Sequence, residues 1–147
     1  MTASRPFERI TTDIYGPFPI TDFKSENLRE TGYILTITDV FTRYTKLHFS
    51  ERINADIVIK ELESWCANFS KPEIMISDNG KQYVNAKLER YLKIKDIKHL
   101  FIPEYTPSSN GISERLNKTI SFILTINKDK YINEAVNLAK DNQHKLQ

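Results

Sequence analysis

The spacing of apolar residues changes period along this chain, and each change predicts a change of element. Residues 7 to 14 alternate well enough for a strand that carries Asp13 near its end. Tyr15-Gly-Pro-Phe-Pro19 follows, and its two prolines and glycine predict that the strand stops there. Residues 20 to 31 are polar and predict a surface loop. Residues 33 to 40 are β-branched and aromatic, hence a second strand. A short turn from Asp39 to Thr42 leads into a third, over residues 43 to 49. Three strands joined by short turns read as an antiparallel meander.

The period then becomes helical. Asn54 is placed to cap a helix on which Val58, Leu62, Trp65, Cys66 and Phe69 fall at i, i+4, i+7, i+8 and i+11. Residues 73 to 77 form a short apolar run, the mark of a buried strand, which delivers Asp78 at its carboxyl end. Asn79-Gly80 turns the chain. Val84, Leu88, Tyr91 and Leu92 predict a second amphipathic helix, and residues 97 to 102 a fifth strand. From Tyr105 to Gly111 the chain is a loop, because Pro107 lacks an amide donor and Gly111 tolerates unusual dihedrals. Ser109 or Asn110 can cap the helix that follows, with apolar positions at 112, 116, 120 and 123. That stripe leaves Glu114, Lys118 and Ser121 on the opposite side. A last helix is expected over residues 133 to 140. The order β-β-β-α-β-α-β-α-α predicts an α/β fold, a mixed sheet flanked by helices.

Composition narrows the picture. At 147 residues the chain is expected to be a single domain over 1–147, with no linker or internal repeat. The net charge is +2, so any affinity for nucleic acid must come from local patches. Cys66 is the sole cysteine, which rules out an internal disulfide and a cysteine-based zinc site and fits a reducing compartment. No apolar run approaches the ~20 residues of a membrane span. The N-terminal residues lack the apolar stretch of a signal peptide.

The chemistry lies in three acids. Asp13 and Asp78 are expected at strand ends and Glu114 in a first helical turn. Each has an ordinary reading by itself. Asp78-Asn79-Gly80 is a turn signal, and Glu114 suits a helix dipole, worth about 0.3–1 kcal/mol. In open α/β sheets, however, sites form beyond the carboxyl ends of strands. Three carboxylates gathered there repel one another unless a cation sits between them. Oxygen-only ligands suit Mg²⁺ or Mn²⁺. Two such ions about 3.5–4 Å apart stabilise both the attacking and the leaving oxygen of a phosphoryl transfer.

Three segments then carry a resemblance. They are Thr12-Asp13 with Gly16-Pro17, Ile76-Ser-Asp78-Asn-Gly80, and the run from Tyr105 through Glu114 to Asn117. Asp78 and Glu114 are separated by 35 residues. Together with the run from Tyr33 to Tyr44, these segments resemble the catalytic core of retroviral and LTR-retrotransposon integrases, whose motif is D,D-35-E. The resemblance covers about residues 7 to 125. It implies an RNase H-like fold with a five-stranded mixed sheet. It implies that Asp13, Asp78 and Glu114 are catalytic and bind two Mg²⁺ or Mn²⁺ ions. It implies an integrase, a DNA strand transferase that processes the 3′ ends of element DNA and joins them to target DNA. DNA-binding residues by the same resemblance are Lys118, Asn117, Asn110, Ser109 and Tyr105; packing of the loop is the competing role of Tyr105, and a solvated surface position that of Lys118. Asn110 departs from the glutamine that many retroviruses carry at this place.

The resemblance further implies a homodimer or higher oligomer, action in the nucleus, and a core lacking the family's N-terminal zinc-binding and C-terminal DNA-binding domains. Trp65 and Phe69 are dimer candidates, with burial in the monomer core the competing fate of Trp65. Lys81, Lys87, Arg90, Lys93, Lys95 and Lys98 form either a basic patch or a solvated helix face. Two other functions stay open. An RNase H-like nuclease would want a further acid on the first helix, where Glu61 and Glu63 lie. A domesticated integrase core would bind without catalysing.

Overall fold

The computed structural model describes residues 2–19 and 31–102, together with Lys118. The predicted loop and helix over residues 105 to 120, apart from Lys118, and the helix over residues 133 to 140 lie outside these residues. So does most of the polar stretch over residues 20 to 31.

Within the described residues the order is β1 (Arg9–Pro19), β2 (Thr31–Asp39), β3 (Thr45–Ser50), α1 (Ala55–Asn68), β4 (Ile74–Ser77), α2 (Ala86–Ile94) and β5 (Lys98–Phe101). The strands form one mixed sheet in the order β3-β2-β1-β4-β5. The meander β1-β2-β3 is antiparallel, whereas β1-β4 and β4-β5 are parallel. The expected five-stranded mixed sheet is therefore present.

Register assigns the two faces. Ile10, Leu35, Ile37 and Met75 lie on one face by alternation and pairing. They form one core with Val58, Leu62 and Trp65 of α1 and with Leu88 and Leu92 of α2. Ile34, Leu47 and Ile76, on the opposite face, are also buried. A sheet covered on both sides explains why its strands read as nearly continuous apolar runs.

The helices start where a side chain satisfies a first-turn amide. Asn54 Oδ1 accepts from Ile57 N, as predicted for α1. The second helix begins later than its apolar pattern implied. Asn85 is its cap, accepting from Leu88 N at 2.8 Å, so Val84 precedes the helix and is exposed. Trp65 is fully buried in the monomer core, within an aromatic group of Phe7, Tyr44 and Phe69. Phe69, at the C-cap of α1, stacks on Phe7 and remains partly exposed.

The largest departure from expectation is β1. It does not end at Ile14 but runs through Gly16-Pro17 to Pro19, so Asp13 stands mid-strand rather than at the strand's end. The reason lies in its neighbours. Pairing with β4 reaches only Thr11, so the later residues of β1 are paired on one side, to β2. The register shifts between Tyr15 and Phe18, and Pro17 falls within that irregularity. Prolines are tolerated at unpaired edges and bulges. Gly16 makes the bulge possible. Its φ is +123°, and a Cβ there would lie 2.8 Å from the Gly32 carbonyl oxygen. Gly16→Ala is therefore expected to destabilise the protein by about 1–3 kcal/mol, seen as a lower urea midpoint at unchanged slope.

Candidate functional site

The parallel pair β1-β4 sets the site. Its partners Arg9 and Ile74, Ile10 and Met75, Thr11 and Ile76 are each 65 residues apart. The same offset links Asp13 to Asp78, just beyond the last paired residues. Side chains at equal height on adjacent strands share a face, and neighbouring strands lie about 4.8 Å apart. Asp13 and Asp78 thus project on the Thr11 and Ile76 side, opposite the face that carries α1 and α2. They line a recess of about 20 Å³ together with Thr11, Thr12, Ile76, Ser77 and Ile102. That is room for about one water-sized particle. Size alone does not mark the site. A recess of about 460 Å³ lies where β4 and β5 begin, among Lys71, Glu73, Lys93, Asp96 and Lys98. Its carboxylates, Glu73 and Asp96, precede β4 and β5, whereas α/β sheets place chemistry beyond strand carboxyl ends.

Each carboxylate is held by a local amide. Gly80 N–H donates to Asp78 Oδ1 at 2.7 Å, and Ile14 N–H donates to Asp13 Oδ1 at 2.9 Å. The turn reading of Asp78-Asn79-Gly80 is therefore correct, and it serves the site, because the turn orients the carboxylate. A Cβ at Gly80 would stand 3.0 Å from Asp78 Oδ1 and 3.0 Å from Gln82 Oε1, a tight fit that a side chain here would press on.

Polar side chains support the pair from the helix-bearing face. Thr12 Oγ1 lies 3.1 Å from the hydroxyl of Tyr83, and both residues are buried. Burial, above all, pushes the Tyr83 phenol well above its ordinary range, and the charges of Asp13 and Asp78 push it further; its bond to Thr12 opposes them. The group stays a neutral hydroxyl. Ser77 Oγ donates to the Asp78 carbonyl at 3.0 Å and lies 2.7 Å from His99 Nε2. A hydroxyl has one proton, so the network assigns the Nε2–H tautomer to His99. Tyr83 and His99 are contributors that periodicity and motif spacing missed. Tyr83 lies next to Val84 at the edge of a helical pattern, and a lone histidine has no spacing to read.

The donors fit a hard divalent cation. The recess offers two carboxylates and hydroxyl oxygens, with no imidazole or thiolate in its lining. Among the described residues no group of three or more His, Cys, Asp or Glu is arranged to hold a metal. The third expected ligand, Glu114, lies outside the described residues, as do Tyr105, Ser109, Asn110 and Asn117. Lys118 is helical and exposed. Glu61 is not near this recess's face. It is buried, 3.5 Å from Lys46 Nζ and 3.5 Å from His48 Nδ1, and those partners lie on the helix-bearing face by register with Ile37 and Leu35. Glu63 is exposed. Of the basic residues, Lys87 is paired with Asp56, and Lys81, Arg90, Lys93, Lys95 and Lys98 are exposed.

Comparison with known proteins agrees with this geometry. The family model described as "Integrase core domain" matches residues 3–107. The chain is 32% identical over 82% of its length to the retrovirus-related Pol polyprotein from transposon RE2 of Arabidopsis thaliana, and 27% identical over 83% to the Pro-Pol polyprotein of feline foamy virus. It spans 8% and 10% of those relatives. Among solved structures, it is similar to the HTLV-2 integrase catalytic core domain in complex with magnesium (dimeric form). The TM-score is 0.70 at 13% identity, over 95% of this chain and 86% of that one. At that identity the likeness concerns the fold, which is the RNase H-like fold of integrase catalytic cores.

The histidine behind the site predicts a pH dependence. Burial lowers the His99 pKa below its usual 6.5, with Glu89 opposing. Below about pH 6.5 the unfolded chain binds a proton that the folded one resists, so stability should fall as pH drops from about 7.5 to about 5. In His99→Gln that slope should be shallower, which paired thermal melts across the range will show.

Proposed function

This chain belongs to the integrase core domain family, and from that premise we propose that it is a metal-dependent polynucleotidyl transferase acting in DNA integration. Its reactions are hydrolysis near the 3′ ends of element DNA and attack of the freed 3′ hydroxyl on target DNA. The observation that carries this reading is the placement of Asp13 and Asp78 just past the last β1-β4 pair, where both carboxylates line one oxygen-rich recess.

In this reading Asp13, Asp78 and Glu114 hold two Mg²⁺ or Mn²⁺ ions. When bound, the metal supplies Lewis-acid stabilisation to the attacking and leaving oxygens of an in-line displacement. The protein's own part is positional. The Gly80 and Ile14 amides fix one oxygen of each carboxylate; Asp13 stands on β1 and Asp78 in the turn that directly follows β4. No nucleophilic side chain is required, since water or a 3′ hydroxyl attacks. One recess therefore serves both reactions.

The partners proposed are element and target DNA, with Tyr105, Ser109, Asn110, Asn117 and Lys118 as contacts. Self-association and a nuclear site of action belong to the same reading. It is supported by the dimeric magnesium-bound core among the similar structures, and by the simian T-cell lymphotropic virus intasome, which shares the fold at a TM-score of 0.71 and 21% identity. An RNase H-like nuclease finds less support, because Glu61 is engaged by Lys46 and His48.

The test is disintegration of a branched DNA substrate. Asp78→Asn and Glu114→Gln should each lower the rate by about 100-fold or more, beyond the usual cost of losing a metal's outer-shell partner. Without metal, Asp78→Asn should melt at the same temperature as the parent or higher, because one of two facing charges is gone. Retention of normal metal-dependent activity in either variant would exclude that residue from the site. Mn²⁺ at about 100 times its Kd should stabilise the parent by about 2.7 kcal/mol; no shift at any concentration would mark a non-catalytic core.

A further inference from the structure

One covalent and hydrogen-bonded circuit joins the two carboxylates through the protein. Asp78 Oδ1 accepts from Gly80 N–H. The Gly80 carbonyl accepts from Tyr83 N–H at 2.9 Å. The Tyr83 hydroxyl bonds Thr12 Oγ1, and Thr12 is covalently next to Asp13. The middle of β1 and the turn after β4 are thus tied across the place where the ladder between the two strands has stopped, since pairing ends at Thr11 and Ile76.

We propose that Tyr83 is a positioning residue for the metal centre: its hydroxyl, bonded to Thr12 from the helix-bearing face, sets where Asp13 stands relative to Asp78. The inference rests on the reading of Asp13 and Asp78 as metal ligands.

Three observations support a role beyond packing. First, the contact is specific in place. Thr12 lines the recess, whereas the Tyr83 ring lies in the core shared with α1 and α2, so the hydroxyl is the ring's link to the site. Second, the contact is dry. Tyr83 is 2% exposed and Thr12 4% exposed, so water is poorly placed to replace either partner if one is removed. Third, the same turn that fixes the Asp78 carboxylate presents Tyr83. A shift of Gly80 is therefore felt at both ligands together. Two carboxylates that repel each other move apart unless each is held. The amides of Gly80 and Ile14 orient the carboxylates, and the tyrosine spans from the turn after β4 to β1.

The test uses the full chain and Mn²⁺ alone as probe. Dissociation constants are measured by calorimetry, and thermal midpoints are recorded without metal. Tyr83→Phe keeps the ring and deletes the hydroxyl. Its Kd for Mn²⁺ should rise by about 10-fold, the scale seen when a metal's outer-shell partner is removed. Thr12→Val should do the same, and the double variant should be no weaker than either single one, because both delete one bond. Thr45→Val is the control. Thr38 and Thr45 form a similar buried hydroxyl pair at 3.0 Å, away from the recess lining. That variant should lose thermal stability while its Kd stays within about 2-fold of the parent.

If Tyr83→Phe leaves the Mn²⁺ Kd unchanged while Asp78→Asn abolishes binding, the positioning role is wrong and the metal site stands. Equal weakening by Thr45→Val would reduce the effect to general loosening and overturn the proposal. Failure of the parent protein to bind Mn²⁺ would remove the metal reading and the positioning role with it.

Discussion

The structure turns on where β1 parts from β4. For three residue pairs the strands run in parallel register, and then β4 ends at Ser77 while β1 continues to Pro19. Among the described residues, β1 has no ladder pairing to β4 beyond Thr11. That single constraint has two consequences. It opens a gap at which two carboxylates meet, and it permits a glycine, a bulge and two prolines in what is otherwise a central strand. Had β4 paired further along β1, Pro17 would have interrupted a ladder on both sides and the recess would have been closed.

The same residues serve the fold and line the candidate site, which is why simple readings of them compete. Asp78 forms the turn with Gly80 and lines the recess. The turn holds one carboxylate oxygen, and a carboxylate that has already lost rotational freedom loses little more on binding a cation. Asp39 shows the contrast. It is fully buried, and it accepts from Phe7 N, Thr42 N and Thr42 Oγ1. Its oxygens are occupied in holding the N-terminal arm to the β2-β3 turn. Two strand-end aspartates therefore differ in use because their surroundings differ, not their chemistry.

Much of this was legible in the chain. Apolar runs located all five strands, Asn54 marked the start of α1, and the placement of Asp78 after β4 followed from a short buried run. What escaped was decided by tertiary neighbours. Residues 15 to 19 look like a strand terminator because proline and glycine usually are, and only the one-sided pairing of β1 lets them continue. Val84 fits the apolar stripe of α2, but the Asn85 cap excludes it from the helix. Tyr83 resembles a core residue in any helical pattern. That its hydroxyl reaches Thr12 depends on a contact between residues 71 positions apart, which no local period encodes. Glu61 on α1 looked available for a fourth carboxylate, and its partners Lys46 and His48 on β3 could be named only once β3 was seen opposite the helix. The 35-residue spacing to Glu114 is a property of the sequence and rests on the family pattern.

The charge distribution adds a final step. The chain is nearly neutral overall, at +2, and its recess is negative by itself. A DNA phosphate approaching two bare carboxylates is repelled. A divalent cation in the recess reverses the local sign. On the proposed reading, metal and DNA therefore bind with positive coupling, and coupling between two binding events is reciprocal. DNA should tighten metal as much as metal tightens DNA. A core with modest charge then needs no strongly basic surface near its chemistry. On that reading, the cation that would support the displacement would also be the one that admits the substrate, which would link selectivity for a loaded site to the geometry of Asp13 and Asp78.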